Sequence, residues 1–334
     1  MADRRLLLQS GLAAAAVTTG LTGGLLLPRS AAAQSAPWPS RSVRLVVPFA
    51  PGGSSEIVAR ATAVELSKTL GQTVYVENKP GGGGNIAMGE VARADDQHTL
   101  ILGHIGTLAV NPFIYDKLPF DTNRDFRQVT LLAKVPSLYV LHPEVPARDL
   151  KEFVALVRGK PGRLNYGSAG NGSAGHLAFE YLKMVGNLFI LHVPYRGTGP
   201  QLTDLLAGRL DAAAVGAPTV IQHIKAGKLR CIATGSKERL PQLPEVPTVA
   251  EQGFPGFEMT QWYGLTAPAT MAQAHIDKLA IEAAKAIRSV SARERLSADA
   301  AEAVGNTPAQ FAAFVAQEQQ RWKAVVARAK IKPD

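Results

Sequence analysis

The sequence has little cysteine, few aromatic residues and little charge. Cys231 is the single cysteine among 334 residues, so an internal disulfide is excluded. Its apolar context, "LRCIATGS", predicts a buried strand cysteine and does not support a nucleophile. Aromatic residues make up 6% and charged residues 19%, against 46% hydrophobic residues, 31 glycines and 22 prolines. This composition indicates a compact α/β protein with many short turns and excludes a disordered chain.

Catalytic and metal-binding patterns are also missing. The seven histidines and the carboxylates show no metal-ligand spacing. Ser173 lies in "NGSAG", which lacks the first glycine of a nucleophile elbow, and His176 on the same helix is poorly placed as its base. The string "GGGGNIA" is only a loose dinucleotide fingerprint and is more typical of a tight turn. We therefore expect no catalytic set, no metal and no cofactor.

The charge balance is basic, with a formal net charge of +9. Such a balance helps anionic ligands to approach. The sequence has no dense cluster of Lys and Arg interleaved with aromatic residues, so nucleic acid is not an expected partner. We expect a monomer with a small anionic ligand.

The first 33 residues have the pattern of an export signal. Arg4 and Arg5 precede an apolar run over residues 11–27, and three alanines ending at Ala33 offer a cleavage site. The run is shorter than the roughly 20 residues that a membrane span needs. The string "DRRLLLQSG" resembles a twin-arginine signal, and an ordinary Sec signal is the alternative. We expect export and cleavage near Ala33.

Strand and helix patterns alternate along the rest of the chain. "SVRLVVPFA", "TVYVENKPG" and "HTLILGHIG" are typical of buried strands, and helical patterns separate them. The alternation repeats from "LLAKVPSLYVLHP" to "CIATGS", and "FEMTQWYGLTAP" has the pattern of a strand crossing back. The alternation predicts largely parallel sheets flanked by helices. We expect two lobes, residues 34–130 plus 259–334 and residues 131–258, with a ligand cleft between them.

Three strand-to-helix junctions share one composition. They read "PGGSSE", "GSAGNGSAGH" and "YRGTGPQ", and each combines glycine, a hydroxyl or amide side chain and a helix start. Helix starts carry unpaired N–H groups and the positive end of the helix dipole, and glycine lets a ligand approach the backbone. Serine and glycine also cap helices for purely structural reasons. Three such junctions at the ends of strands predict a site for an anionic oxygen.

Long segments of the chain resemble one family. They include "WPSRSVRLVVPFAPGGSSEIVAR", "LGQTVYVENKPGGGGNIA", "LNYGSAGNGSAGHLA", "HVPYRGTGPQLTDLLAGRLD" and "LPEVPTVAEQGFPGFE". In sequence and order these segments resemble the Bug-type periplasmic solute-binding proteins of the tripartite tricarboxylate transporter family. The resemblance implies a two-lobed Venus-flytrap fold of the α/β class without catalysis. It also implies a periplasmic protein that delivers a small carboxylate to the integral-membrane permease subunits of such a transporter.

The same resemblance implies a set of ligand-binding residues. The "PGGSSE" and "YRGTGP" loops would hold the carboxylate, partly through ordered water. The "GHIGTLAVNP" and "GSAGNGS" loops would meet the distal part of the ligand. The implied residues are Phe49, Pro51, Gly52, Gly53, Ser54, Ser55, Glu56, Gly106, Thr107, Ser168, Ala169, Asn171, Ser173, His176, Arg196, Gly197, Thr198, Gly199, Pro200, Asp204, Gly216 and Ala217.

Three departures from the family pattern affect this expectation. Ser55 and Glu56 replace the usual Thr-Asp, which leaves open whether Glu56 organises the first loop. Val110 supplies no imidazole where the family often has one. Residues 212–217, "AAAVGA", replace bulkier or polar residues and the asparagine of an Asn-x-Pro string. A small, apolar wall favours an aromatic or partly apolar mono- or dicarboxylate over citrate.

Two alternatives remain open from the sequence. A binding protein of this kind could feed a signalling partner instead of a permease. A periplasmic enzyme acting on a carboxylated substrate is the alternative from another class, and a turnover assay separates it from a binding protein.

Overall fold

The computed structural model describes residues 38–332, so the expected export signal lies outside the described residues. The strands are β1 (Val43–Val47), β2 (Val74–Asn78), β3 (Thr99–His104), β4 (Phe126–Leu141), β5 (Asn165–Ser168), β6 (Leu191–Pro194), β7 (Ala212–Gly216), β8 (Arg230–Thr234), β9 (Thr260–Pro268) and β10 (Glu302–Ala303). The helices are α1 (Ser54–Leu70), α2 (Asn85–Val91), α3 (Asn111–Ile114), α4 (Leu150–Gly159), α5 (Ala174–Gly186), α6 (Thr198–Leu206), α7 (Ala217–Lys225), α8 (Gln273–Ile287), α9 (Val290–Ala298) and α10 (Pro308–Ala329).

The first half of the sheet is built on three parallel strands. β1 lies between β2 and β3, and β9 runs antiparallel beside β3. β1 and β3 are nearly all apolar because both of their faces are buried, as parallel strands covered by helices require. Helix α1 packs against α8, and it ends at Gly71, whose left-handed φ of 69° suits glycine.

Strand β4 belongs to both halves of the sheet. Its first part, through Pro136, pairs with β9, and its last part, from Ser137, pairs with β7 and β8. In the second half, β5 is parallel to both β6 and β7. Where β4 passes from one half to the other, the backbones of Ser137, Gly235 and Met259 are linked in a ring of hydrogen bonds of 2.7–3.3 Å. The chain therefore crosses between the halves at β4 and just before β9.

Helix α10 covers the junction of the two halves. The ring of Phe311 fills the space beside Gly264, where a Cβ would overlap it. Trp262 on β9 donates to the carboxylate of Glu318 at 2.8 Å, and Trp322 of α10 packs edge-on against Tyr181 of α5. The C-terminal helix thus returns to both halves.

The expected α/β fold with two sheet halves is confirmed. Cys231 lies in strand β8 as predicted, although the residue is half-buried and not fully buried. Burial of its thiol raises the pKa of that group to about 12. Among residues 38–332, no helix combines the length and the apolar character needed to cross a bilayer.

Candidate ligand-binding site

A small cavity lies where the strands of the two halves end. Its volume is about 30 Å³, room for about two water molecules. It is reached by the carboxyl ends of β1, β3, β5 and β7, the place where α/β sheets commonly bind ligands. The lining residues are Phe49, Ser54, Ser55, His104, Ala169, Ser173, Ala174, Gly175, Thr198, Gln201, Ala214, Val215, Gly216, Gln261 and Tyr263.

Four helices begin at this cavity. α1, α5, α6 and α7 each place a residue of their N-cap or first turn in the lining. The N-caps of α1, α6 and α7 are Gly53, Gly197 and Gly216, which have no side chain to accept from the first turn. The N–H groups and positive dipole ends of these helices are therefore directed at the cavity without a competing side-chain acceptor.

The lining is polar but carries no formal charge. None of its fifteen residues, all within the part of the chain that the structure describes, is Lys, Arg, Asp or Glu. Hydroxyls of Ser54, Ser55, Ser173 and Thr198 and the amides of two glutamines supply the polar groups. An anion in this cavity would be held by neutral donors and helix dipoles, the arrangement that binds phosphate and carboxylate groups at helix N-termini.

Glu56 organises the first loop in spite of its extra methylene. Its Oε2 accepts the backbone N–H of Gly52 at 2.7 Å, and its Oε1 accepts from Nε of Arg60 at 2.7 Å. Gly52 has a φ of 95°, a conformation that other residues rarely adopt. The carboxylate thus fixes the turn that leads into α1, which answers the question that the sequence left open.

The two halves touch on both sides of the cavity. On one side the N–H of Ala50 donates to the carbonyl of Arg196 at 3.3 Å, and a Cβ on Gly52 would lie 3.2 Å from the Cα of Gly199. On the other side a Cβ on Gly106 would overlap the carbonyl oxygen of Gly172. Ser54 Oγ and Thr219 Oγ1 lie 3.0 Å apart across the halves. The cleft is closed in this conformation, and a ligand enters only if the halves separate.

A stack of rings supports the "GSAGNGS" loop from behind. The rings of His176 and His192 stack with centroids 4.3 Å apart, and His192 stacks in turn on Tyr166 at 4.9 Å. Nδ1 of His176 accepts the N–H of Gly172 at 3.1 Å, and Nε2 of His192 lies 2.7 Å from Ser168 Oγ. The predicted site residues Ser168 and His176 therefore shape this loop and do not line the cavity.

Seven of the predicted site residues line the cavity: Phe49, Ser54, Ser55, Ala169, Ser173, Thr198 and Gly216. The others lie beside or behind the lining: Pro51, Gly52, Gly53, Glu56, Gly106, Thr107, Ser168, Asn171, His176, Arg196, Gly197, Gly199, Pro200, Asp204 and Ala217. Arg196 is exposed, and Asp204 accepts from Tyr195 and Arg209 at 2.7 Å each, so these two charges serve the surface and the α6 region. Ligand contact by any of these residues stays a prediction.

The wall formed by residues 212–217 is only partly apolar. Ala214, Val215 and Gly216 line the cavity. A Cβ on Gly216 would overlap Ser54 Oγ and lie 2.8 Å from Nε2 of Gln261. The space that a larger residue would need at position 216 is thus filled by a hydroxyl and an amide, so the predicted apolar character of the wall is wrong there.

Sequence reasoning missed the polar residues that β3 and β9 contribute. His104 ends β3 and lies opposite Tyr263 of β9, and Gln261 is two residues from Tyr263. Alternate residues of a strand share a face, so one lining position on β9 implies the other. The available signal was a histidine at the carboxyl end of a predicted strand, inside the segment "GHIGTLAVNP" that the resemblance already assigned to the distal part of the ligand. The remaining lining residues that were missed are Ala174, Gly175 and Gln201, whereas Ala214 and Val215 belong to the predicted wall of residues 212–217.

His104 is held as a neutral imidazole. Its side chain is 3% exposed, and burial lowers its pKa to about 4. Its Nδ1 accepts the backbone N–H of Thr107 at 2.9 Å, which closes the first turn of the π-helical segment Ile105–Val110. Within residues 38–332 there is also no cluster of three or more His, Cys, Asp or Glu that could hold a metal ion.

Comparison with known proteins gives the same family at the level of sequence and fold. The model of the tripartite tricarboxylate transporter family receptor matches residues 58–331. Protein BugT of Bordetella pertussis is 34% identical over 307 residues, which are 91% of this chain and 93% of BugT.

Two solved structures are similar to this chain in three dimensions as well as in sequence. The R. palustris protein Rpa4515 with adipate has a TM-score of 0.86 and 34% identity, and the match covers 89% of this chain and 100% of that one. MatC from Rhodopseudomonas palustris with bound malate has a TM-score of 0.83 and 35% identity, with 86% and 100% covered. The chain is therefore a member of the tripartite tricarboxylate transporter family of receptors, of the Bug type.

Proposed function

We propose that this protein captures a small carboxylate between its two halves and delivers it to the membrane permease of a tripartite tricarboxylate transporter. Two relatives of the same fold are described with carboxylates, adipate and malate. Relatives are also described as periplasmic, which supports the periplasm as the place of capture. The receptors of the family are binding proteins, which supports capture without turnover.

One observation carries the proposal. Four helix starts converge on a cavity whose described lining has neutral donors and no charged side chain. Each helix start stabilises a nearby anion by about 0.3–1 kcal/mol, and more where the site is partly buried. An acidic lining would repel a carboxylate, and a cationic lining would hold it by buried ion pairs that are costly to break. Neutral donors suit a receptor that must bind and then release.

Delivery requires the cleft to open. The cavity of about 30 Å³ is too small for adipate or malate. The halves are joined by β4 and by the segment before β9. Rotation of one half relative to the other around these two connections is a hinge motion. The lobes of the proposal are residues 34–130 with 259–334 and residues 131–258, and the crossing strands lie near both boundaries.

The lining also bears on the ligand class. Its donors come from hydroxyls, amides and one histidine around a small space. A tricarboxylate such as citrate would bring three anionic groups, and each unpaired buried charge is costly. We therefore favour a mono- or dicarboxylate over citrate, and Phe49, Ala214 and Val215 in the lining suit a partly apolar or aromatic body.

Calorimetric titration of the exported protein tests the proposal. Adipate, malate, terephthalate and citrate are titrated separately, and each recovered ligand is checked by mass spectrometry. Binding of at least one acid in the micromolar range or tighter, with the acid recovered unchanged, supports the proposal. Absence of binding by every acid, or a chemically altered acid, would overturn it.

Uptake separates delivery from sensing. Cells that have the receptor but lack the membrane permease should fail to take up the labelled acid. Undiminished uptake without the permease would favour the signalling alternative.

A further inference from the structure

One buried polar atom of a cavity-lining residue has no protein partner. His104 lines the cavity, and its Nε2 has no hydrogen-bond partner among residues 38–332. Buried polar atoms in folded proteins are nearly always hydrogen-bonded, so an exception needs an explanation.

The other ring nitrogen fixes the position of the proton. Nδ1 accepts the N–H of Thr107 at 2.9 Å, and a nitrogen that accepts carries no hydrogen in a neutral imidazole. The hydrogen of the neutral ring is therefore on Nε2. This tautomer follows from the hydrogen bond and makes Nε2–H a donor that the fold leaves unused.

The surroundings of the ring keep this donor in place. The ring of Phe49 packs on the imidazole with centroids 4.6 Å apart, and the Tyr263 ring lies at 6.5 Å. The hydroxyl of Tyr263 donates to Oε1 of Gln261 at 2.6 Å, so its hydrogen is not directed at the imidazole. No Asp or Glu lies among the lining residues that the structure describes, so none of them offers a carboxylate to the imidazole.

We infer that Nε2–H of His104 is a specificity-determining hydrogen-bond donor that recognises a second oxygen function on the bound carboxylate. The inference rests on the proposed function, because it concerns the same cavity. The helix starts supply donors for one carboxylate, whereas His104 comes from the strand wall and meets another part of the ligand. The class of ligand is a carboxylate that carries a further acceptor, such as a second carboxylate, and a simple acid with an apolar tail is disfavoured.

The size of the preference follows from the unused donor. A ligand without an acceptor leaves Nε2–H buried and unpaired, and sites built around a hydrogen bond reject analogues that lack it. We expect the acid with the second oxygen function to bind about tenfold tighter or more than its matched partner. The matched pairs are adipate and hexanoate, succinate and butyrate, and terephthalate and benzoate.

Three variants of the full exported chain test the inference by calorimetry. His104→Phe keeps a ring against Phe49 and removes the donor, so it should reduce the preference within a pair to about twofold or less. His104→Gln retains an N–H donor and should restore part of the preference. His223→Phe replaces a histidine in the last turn of α7, outside the cavity lining, and should leave the preference intact. Thermal unfolding of each variant confirms that it folds.

A spectroscopic readout follows the proton itself. In protein labelled with ¹⁵N-histidine, the Nε2–H signal of His104 should shift with the diacid of a pair and much less with the monoacid. An unchanged preference in His104→Phe, with the acids still binding, overturns this inference and leaves the proposed function standing. Failure of every acid to bind the unmodified protein overturns both.

Discussion

Two parts of the cavity lining do different kinds of work. The starts of α1, α5, α6 and α7 offer mainly backbone N–H groups, hydroxyls and small side chains, whereas β3 and β9 offer His104, Gln261 and Tyr263. Helix starts accept any anionic oxygen because their donors belong to the backbone. The strand wall offers side-chain donors and acceptors instead. On the proposed function, the helix starts would capture the ligand and the strand wall would discriminate among ligands.

Closure brings the starts of α5, α6 and α7 in one half against α1, β3 and β9 in the other, so the largest effect should come from blocking it. Gly106→Ala would place a Cβ against the carbonyl oxygen of Gly172 in the other half. The same Cβ would also overlap Cε1 of His104, so its surroundings must shift and the halves cannot close as they do here. We expect all acids to bind up to about a hundredfold more weakly, in line with overpacking costs of about 1–3 kcal/mol. Calorimetry measures the loss.

A matched glycine provides the control for this variant. Gly159 ends α4, and a Cβ there would meet nothing within 4 Å among the described residues. Gly159→Ala should leave affinity unchanged. Equal affinity in Gly106→Ala and Gly159→Ala would show that the closed contact between the halves does not matter for binding.

Low pH should reduce the folding stability through His104, the one histidine of the lining. Its folded pKa of about 4 lies below the ordinary value of 6.5, so the unfolded chain binds the proton more tightly. The stability that this residue contributes is complete above about pH 6.5 and is lost as the pH falls toward 4, by up to about 3 kcal/mol.

Urea unfolding at pH 7 and pH 4.5 measures this loss. His104→Gln carries no titrating ring and should lose less stability than the unmodified protein over the same interval. Identical losses in the two proteins would mean that His104 is not held neutral by the fold.

Hydroxyl deletions at the helix starts should weaken every acid to the same degree. Ser54→Ala or Thr198→Ala removes a donor at the cavity, and we expect a loss of about 1–3 kcal/mol in binding free energy. Thr203→Ala, on the exposed side of the same helix α6 as Thr198, is the matched control and should have no effect. A loss confined to diacids would assign these hydroxyls to discrimination and contradict the comparison.

The smallest effect is expected at Gln261. Its amide lies beside Gly216, and its carbonyl oxygen accepts from Tyr263. Gln261→Leu replaces the neutral amide by an apolar side chain of similar volume. We expect a loss of about 1 kcal/mol in binding free energy for diacids and little change for monoacids. Calorimetry with adipate and hexanoate compares the two, and equal losses for both acids would place Gln261 with the capturing groups.

The predicted parts of the site depend on residues that are close in the sequence, whereas the missed parts depend on residues that are far apart in it. The helix starts were predictable because Gly and Ser between a strand and a helix act within a few residues, and Ser54, Ser173 and Thr198 all reached the cavity. The strand wall was not, because β9 is inserted antiparallel between β3 and β4. That register, set by residues more than a hundred positions apart, decides that Tyr263 faces His104.

The polar character of the wall at Gly216 was missed for the same reason, because it also comes from residues far away in the sequence. The local string "AAAVGA" contains only small or apolar residues, so it predicted an apolar surface. The amide beside it comes from Gln261 on β9, and the hydroxyl comes from Ser54 on α1. The local sequence could not show which distant side chain fills the space beside a glycine.

A crystal structure with the tightest-binding acid bound tests the central claim most directly. We predict that one carboxylate lies within about 2.7–3.1 Å of N–H and hydroxyl groups at the starts of α1 and α6, with no Lys or Arg nitrogen within about 4 Å. A carboxylate paired with a cationic side chain such as Arg196, away from the helix starts, would contradict the account.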